Sequence, residues 1–336
     1  MSYQTARRHA VHVSYEPNAV LRRSSQRLFK RILVVCIAAL GLIGQSLVDR
    51  ANAEERTRQH PVLHTYGNSQ GHEIANVIAV SASKLLPLLP SEYTIVPASS
   101  LLFGRPDQGI VTIANFEGIN PTVDQRPSSR QSQVAIDVGI LIVEPADAAK
   151  AGVNIPGAFH IYALTIFTND AQYAASLRTG DMPVEFADAI GYQRDMDDAT
   201  GVGDLIVSVP ARYPTLYSIN AGQGYAPAPG AFNAVFWNDG LRDTAVLNFI
   251  DQPFRQGSAM SQIYTRPHTA LNALLDGGGL GPCPADLLTG FDCVMAPSLN
   301  LRYDEGTVGK LQLIKPVRTG YRPFSAVTYF TLRGRP

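Results

Sequence analysis

The chain has 336 residues, of which 45% are hydrophobic and 17% are charged, a composition typical of a globular protein. Its 28 Lys and Arg residues equal its 28 Asp and Glu residues, so the formal net charge is zero. A neutral chain without a basic block lacks the electrostatic footprint of a nucleic-acid-binding protein. We therefore expect no nucleic-acid partner.

The first 53 residues have the pattern of a cleaved signal peptide. A basic region over 22–31 precedes an apolar run over 32–43, and an A-x-A cleavage motif follows at 51–53. The alternative is a membrane anchor, but the run is shorter than the roughly 18–20 residues that span a bilayer. We expect residues 1–53 to be removed, leaving a periplasmic or extracellular protein with no stable membrane span.

Two cysteines remain after this cleavage, because Cys36 lies in the predicted signal peptide. Cys283 and Cys293 form an isolated pair in an oxidising compartment. A disulfide across so short a loop contributes roughly 2–3 kcal/mol. The alternatives are two free thiols or a metal site, but two cysteines without neighbouring histidines make a poor zinc site. We predict a disulfide, no metal and no cofactor.

The predicted mature chain begins with a polar stretch. Residues 54–72 are rich in Arg, Gln and His and predict an exposed N-terminal arm. Over 73–89, apolar residues fall at helical spacing and prolines follow, so we predict a helix there.

Strand patterns dominate the rest of the chain. The longest covers 133–145 and the next covers 158–170, both rich in β-branched and aromatic residues. A helix is predicted over 169–180, capped by Asn169 or Asp170 and stopped by Gly180. A second helix is predicted over 266–279. Shorter strands are predicted at TLYSIN, AFNAVFWND, TAVLNFID, GSAMSQIYT, LQLIKP and FSAVTYFTL.

These elements predict one domain over residues 73–336. Regular β-α-β alternation is absent, which argues against a doubly wound sheet. We predict an α+β fold that is strand-dominated, with a barrel-like antiparallel sheet and a few short helices.

Three segments in order resemble the acetoacetate decarboxylase-like superfamily: KLLPLLPSEY, IDVGILIVEP and YALTIFTNDAQYAASLRTGDMPVEF. The resemblance covers roughly residues 75–210. It implies a barrel whose interior can enclose a small organic molecule.

The chain departs from this family at the catalytic lysine. The family's Gly-x-Pro-Lys element could fall on 180–185 or on 191–194, and neither segment contains a lysine. Schiff-base decarboxylation needs a primary amine, and the guanidinium of Arg194 cannot replace it. The resemblance therefore implies a small-molecule-binding protein without classical decarboxylase activity, and its ligand is expected to be a small organic compound such as a carboxylate or a carbonyl.

Six residues are candidates for ligand binding. Glu185 and Arg194 lie nearest the family's active-site segment, where such a pair could hold a carboxylate, or could form a surface ion pair. His160 and Tyr162 share one strand face, which is either the barrel interior or another packed or solvated surface. Glu117 interrupts an apolar strand as a ligand-facing acid would, and so does Asp137, although either could lie on a solvated face.

A competing hypothesis is a secreted serine hydrolase. Gly67-Asn68-Ser69-Gln70-Gly71 fits G-x-S-x-G, in which the serine sits between a strand and a helix. His268 is a candidate base for Ser69. The alternative is a glycine-rich loop that leads into a helix.

Two further alternatives stay open. The acidic stretch at 195–204 could bind calcium, but it lacks the Gly and Glu positions of an EF-hand and could be a solvated turn. The chain could also be a structural envelope protein without a ligand.

Overall fold

The structure is a computed structural model that describes residues 62–314, except 102, 147, 211–214, 227–229, 240–243, 284–287 and 304–305. The strands of this part are β1 (Val62–Gly67), β2 (Gln70–Ser81), β3 (Gln108–Ile119), β4 (Thr122–Val123), β5 (Arg126–Pro127), β6 (Ser132–Ile142), β7 (Phe159–Thr168), β8 (Val184–Phe186), β9 (Gly191–Met196), β10 (Val202–Val209), β11 (Leu216–Ala226), β12 (Ala231–Asp239), β13 (Thr244–Thr265), β14 (Asp292–Tyr303) and β15 (Val308–Ile314).

Four short α-helices interrupt the strands: α1 (Ala82–Leu85), α2 (Ala148–Ala151), α3 (Ala171–Thr179) and α4 (Ala270–Leu275). Single 3₁₀ turns lie at Leu86–Leu88, Ala98–Leu101 and Asp276–Gly278. None of the helices described is long and apolar enough to cross a membrane.

Seven strands form a closed ring. Their order is β12, β7, β6, β3, β2, β14 and β13, and β13 pairs back to β12. β13 can close the ring because it is 22 residues long, so that its first half pairs with β12 and its second half with β14. Among the described pairs only β12–β7 and β7–β8 are parallel, so the sheet is mixed but mainly antiparallel.

A second layer covers part of the outer face of the ring. β11 pairs with the second half of β13, and β10 and β9 follow it outward. Leu205 and Val207 of β10 are buried in the same apolar cluster as Ile113 of β3 and Ile136 of β6. The β9–β11 layer therefore packs against the outer face.

The inner face of the ring carries a separate apolar cluster. Successive side chains of a strand point to opposite faces, so in β6 Ala135 belongs to the inner cluster and Ile136 to the outer one. Helix α3 adds Tyr173 and Leu177 to the inner cluster. The interior of the ring is thus lined by apolar side chains and covered on one side by a helix.

The predicted fold class is confirmed: the described chain is strand-dominated α+β with a barrel-like sheet. The helix predicted over 169–180 is also confirmed, since the Asp170 side chain accepts hydrogen bonds from the backbone N–H groups of Gln172 and Tyr173, and Gly180 is the C-cap. The second helix begins at Ala270 and continues into a 3₁₀ turn. Cys283 and Cys293 form the predicted disulfide, with their Cα atoms 5.4 Å apart.

The helix predicted over 73–89 is wrong for most of its length. Residues 70–81 form β2, and only 82–85 form an α-helix. Burial along β2 alternates with period two, so Ile74 and Ile78 belong to one strand face. Pairing with β3 and β14 on both sides outweighs the helical spacing that the same residues also satisfy.

The expected N-terminal arm also needs correction. Residues 62–67 form β1, which pairs with β15, and Gly71 and His72 are buried in β2. The rest of the arm, the predicted signal peptide and the predicted strand over 324–332 lie outside the described residues.

Candidate functional site

The inner face of the ring encloses a cavity of about 870 Å³, counted to include its opening to solvent. Its walls are mainly small aliphatic and aromatic side chains. They come from alternate positions of the ring strands, such as Ala75 of β2, Ala114 of β3 and Ala234 of β12. Small residues at these positions leave space where larger ones would fill the interior.

Two carboxylic acids line this otherwise apolar cavity, Glu73 of β2 and Asp137 of β6. They reach it because β2, β3 and β6 are adjacent: Glu73 lies opposite Phe116 of β3, and Asp137 lies opposite Ala114. Both acids therefore point inward from the same wall.

Glu73 is held by a tyrosine from the neighbouring strand. The hydroxyl of Tyr303, at the end of β14, donates to Glu73 Oε2 at 3.0 Å. Tyr303 packs closely over β2 because residue 71 is a glycine: a Cβ there would lie 2.8 Å from the Tyr303 ring and 2.6 Å from Thr307 Oγ1. Gly71 thus permits the contact that positions the Glu73 carboxyl.

Asp137 is more isolated. It is only 8% exposed, and its Oδ1 atom is buried and has no hydrogen-bond partner among the described residues. The Oγ1 atom of Thr307, another cavity residue, is buried and lacks a partner within the same part of the chain. A buried acceptor without a partner is uncommon in proteins and indicates a group that is completed by a ligand or by water.

Burial raises the pKa of both acids. The pKa of Glu73 rises to about 7, with burial as the main cause and the Tyr303 hydrogen bond opposing it. The pKa of Asp137 rises to about 8, through burial first and then the nearby charge of Glu73. Burial also raises the pKa values of Tyr173 and Tyr303 well above their usual range, so both hydroxyls stay protonated.

The site therefore combines two acids that change protonation near neutral pH with two tyrosine hydroxyls and an apolar wall. Such a set can donate or accept hydrogen bonds and can exchange protons with a bound molecule. It has no amine for a Schiff base, since no lysine lines the cavity within the described chain. Lys84, in the last turn of α1, instead contacts Asp276 in the turn after α4 at 2.8 Å.

His160 and Tyr162 point away from this cavity. Phe159 and Ile161 line it, so the residues between and after them face the outer cluster. There Trp237 Nε1 donates to His160 Nδ1 at 3.0 Å. Burial lowers the pKa of His160 to about 4, which keeps the ring neutral as an acceptor. His160 and Tyr162 share one strand face, and this face lies in the packed core that contains Trp237.

Glu117 and Arg194 also lie on the outer side. Arg194 Nε is 3.5 Å from Glu117 Oε2, and its Nη1 is 2.5 Å from Asp198 Oδ1. This ion pair joins β9 of the second layer to β3 of the ring. Glu185 lies in β8, which pairs with β7. None of these three predicted residues is among those that line the cavity.

The G-x-S-x-G segment does not form a nucleophile elbow. Ser69 lies in the turn between β1 and β2, where its hydroxyl donates to the Ile119 carbonyl and accepts from Asn120. A strand follows it where the motif requires a helix. His268 lies beyond the other end of β14, and at about 3.3 Å per residue this strand separates the two by roughly 35 Å.

The acidic stretch is used within the second layer. Asp197 Oδ1 accepts from the backbone and hydroxyl of Thr200 at 2.6 and 2.7 Å, and Asp198 pairs with Arg194. In the described part of the chain, no group of three or more His, Cys, Asp or Glu residues could hold a metal ion.

No protein-family model and no curated protein matches the chain. Among solved structures it is similar to an acetoacetate decarboxylase, with a TM-score of 0.48 and 10% identity over 76% of this chain and 91% of the other. It is also similar to an acetoacetate decarboxylase-like enzyme from Sphingomonas wittichii RW1, with a TM-score of 0.47 and 9% identity over 76% and 94% of the two chains.

A third similar structure is the enduracididine biosynthesis enzyme MppR complexed with pyruvate, with a TM-score of 0.45 and 9% identity over 74% and 91% of the chains. The first two structures carry the name of the family that the sequence resembles.

Glu73 was missed as a site residue because it stood at the start of the predicted helix. The signal that could have identified it is the alternation of small residues at 75 and 79 with branched or polar residues at 74, 76, 78 and 80. Asp137 carried a clearer signal, since it is the one acid within the apolar run of β6.

Proposed function

We propose that the protein binds a small organic ligand inside the ring, in the cavity that contains Glu73 and Asp137, and that it does so without Schiff-base chemistry. The observation that supports this proposal is a roughly 870 Å³ space with two buried acids in an apolar wall. A purely structural barrel has no need of such a space, because filling it with larger side chains would add apolar contact and remove two costly buried acids.

A cavity-filling variant tests where the ligand binds. Ala75 lines the cavity, so Ala75→Phe is expected to raise the Kd of a ligand held there by at least about tenfold, because the new ring occupies its space. The matched control is Ala175→Phe, on the exposed side of α3. Isothermal titration with 4-phenylbutan-1-ol measures both variants. Equal affinities would contradict binding in the cavity.

The absence of a lysine from the described lining predicts the result of a trapping experiment. Incubation with acetoacetate and borohydride is expected to leave the mass of the protein unchanged, because no amine is in place to form an imine. A stable adduct on any lysine, located by peptide mass spectrometry, would contradict the proposal that Schiff-base chemistry is absent.

Export to the periplasm or the medium is part of the proposal. The disulfide between Cys283 and Cys293 supports it, because such bonds persist in oxidising compartments. The remaining basis is the signal-peptide pattern at residues 1–53. N-terminal sequencing of the exported protein tests it, and an uncleaved N-terminus would contradict it.

A further inference from the structure

We propose that the ligand of this cavity is an organic ammonium compound, with one protonated amine between Glu73 and Asp137 and an apolar body against the phenylalanine-rich wall. This inference rests on the proposed function, because it assigns a ligand class to the same cavity. It departs from the expectation of a carboxylate, which depended on Arg194 being part of the site.

The charges of the lining are all of one sign. Glu73 and Asp137 are its acids, and no Lys, Arg or His of the described chain lines the cavity. Two ionised carboxylates in an apolar enclosure repel each other and lose their hydration, so they need a cation or they stay protonated. A ligand that brings a positive charge supplies the missing partner.

The hydrogen-bonding groups also favour a donor-rich ligand. Asp137 Oδ1 and the Thr307 hydroxyl are buried and have no partner among the described residues, and the Tyr303 hydroxyl already donates to Glu73. An ammonium group has three N–H donors and no acceptor. It can therefore donate to both Glu73 and Asp137 once they are ionised, whereas a carboxylate would add a negative charge beside two acids.

Aromatic rings line the same cavity. Phe116 and Phe232 pack against Tyr303 with ring centroids 6.2 and 5.9 Å away, and Phe236 packs against Phe249 at 6.2 Å. These four phenylalanines line the cavity. The faces of such rings attract a desolvated cation, and their area also accommodates an aryl or alkyl body.

Binding by this route is linked to proton release. The pKa values of Glu73 and Asp137 are raised to about 7 and about 8, so near pH 7 the pair carries more than one proton. The other titratable groups near them are Tyr303 of β14, Tyr173 of α3 and Tyr192 of β9, whose pKa values are raised well above 10. An ammonium ligand ionises the acids, and each acid that ionises releases one proton to solvent.

Three matched probes distinguish the possible ligand classes: 4-phenylbutylamine, 4-phenylbutan-1-ol and 4-phenylbutyrate. A primary alkyl amine stays protonated below about pH 10. Isothermal titration is expected to show the amine as the tightest of the three, with an affinity that rises at least about tenfold between pH 6 and pH 8.5. In two buffers of different ionisation enthalpy near pH 7, its binding is expected to release about one proton.

Substitutions then assign this effect to the two acids. Asp137→Asn is expected to weaken the amine by at least about tenfold, because a charged hydrogen bond is lost, and to leave the alcohol within about twofold. Glu73→Gln is expected to act in the same direction. The control is Asp107→Asn, which removes an exposed acid that pairs with Arg105. Circular dichroism confirms that each variant is folded.

The outcomes separate the inference from the proposed function. Tighter binding of 4-phenylbutyrate than of the amine, or equal amine affinity in the wild type and Asp137→Asn, would overturn the ammonium assignment. Binding of the alcohol that Ala75→Phe abolishes would still support the cavity as a ligand site. Failure of all three probes to bind would overturn both.

Discussion

At the scale of single residues, the acids of the cavity oppose folding. Glu73 and Asp137 are surrounded by apolar side chains, where a carboxyl is costly in either protonation state unless it is hydrogen-bonded. In the part of the chain that the structure describes, Tyr303 donates such a bond to Glu73, and Asp137 Oδ1 has no partner. Residues that destabilise the folded state and that converge on one cavity are typical of functional sites.

The burial of Asp137 predicts how the free energy of unfolding depends on pH. The folded-state pKa of Asp137 is about 8, above its ordinary value of 3.8, so the folded protein binds more protons than the unfolded chain between these values. The free energy of unfolding is therefore unaffected by this group below about pH 4. It falls by about 1 kcal/mol per pH unit as the pH rises from there to about 8. Asp137→Asn should remove this part of the decline.

Urea unfolding near pH 5, 7 and 9 measures the difference. The free energy of unfolding of Asp137→Asn, relative to wild type, is expected to increase steadily with pH. Asp107→Asn, at an exposed position, should follow the wild-type pH dependence above pH 5. Parallel curves for wild type and Asp137→Asn would show that the Asp137 carboxyl ionises as it does in the unfolded chain.

The candidate site residues differ in how clearly the sequence identifies them. Asp137 interrupts a long apolar run, and a polar residue there is visible because its neighbours fill both faces of a strand. Glu73 follows His72 in a polar stretch, where an acid does not differ from its neighbours and gives no sign of a site. Arg194 and Glu117 were chosen as candidates because they are charged, but charge alone does not show which face of the sheet a side chain occupies.

At the scale of elements, β2 supplies the site because it has two differently composed faces. Its inner face carries Glu73, Ala75 and Val77, and its outer face carries Ile74 and Ile78. Small residues on one face maintain the cavity while branched residues on the other maintain the core. The strand begins at Gln70, so the turn that contains Ser69 lies immediately before it.

Gly71 of this strand should be intolerant of a side chain. Gly71→Ala is expected to destabilise the protein by about 1–3 kcal/mol, because the added Cβ overlaps Tyr303 and Thr307. Displacement of Tyr303 also weakens its hydrogen bond to Glu73. Chemical unfolding measures the loss of stability, and titration with 4-phenylbutylamine measures the effect on the site.

Gly281→Ala is the matched control. A Cβ at Gly281 meets no atom within 4 Å, so its effect should remain within about 0.5 kcal/mol. Equal stability losses for the two variants would mean that Tyr303 moves aside without cost and does not hold Glu73 in place.

Element predictions succeeded where local signals were decisive. Helix α3 has an Asp cap, a buried apolar side and a glycine stop, all readable from the chain. β6 and β7 have continuous β-branched and aromatic runs. The prediction for β2 failed because the mixture of small and branched apolar residues at 73–81 fits both a helical and a strand period. Pairing with β3 and β14 decides between the two.

At the scale of the whole molecule, β13 holds the fold together. It pairs with β12, β14, β11 and β15, so the ring and the second layer share one strand. The sequence suggested two separate strands here, and only the pairing of distant segments shows that they are continuous. Such non-local pairings are what a single sequence predicts least well.

The disulfide fastens the chain between two parts of this assembly. Cys283 follows α4, and Cys293 lies in β14 opposite Tyr264 of β13. Replacing both cysteines with serine is expected to lower the free energy of unfolding by roughly 2–3 kcal/mol, since the unfolded chain regains the freedom of the closed loop. Chemical denaturation with and without a reductant measures it.

The effect of the reductant on the two proteins is the control for this experiment. Reductant should destabilise the wild type towards the doubly substituted variant and leave that variant unchanged. If the variant and the oxidised wild type were equally stable, strain in the native loop would offset the entropic gain.

The closed ring also determines how ligands can be selected. An open sheet can widen by moving one edge strand, but here each of the seven strands is hydrogen-bonded on both sides. The circumference of the interior is therefore fixed by the backbone, and only side chains can adjust to a guest. For the proposed ligand site, this means that a molecule too wide for the interior is excluded whatever its chemistry, and that the two acids discriminate only among molecules that fit.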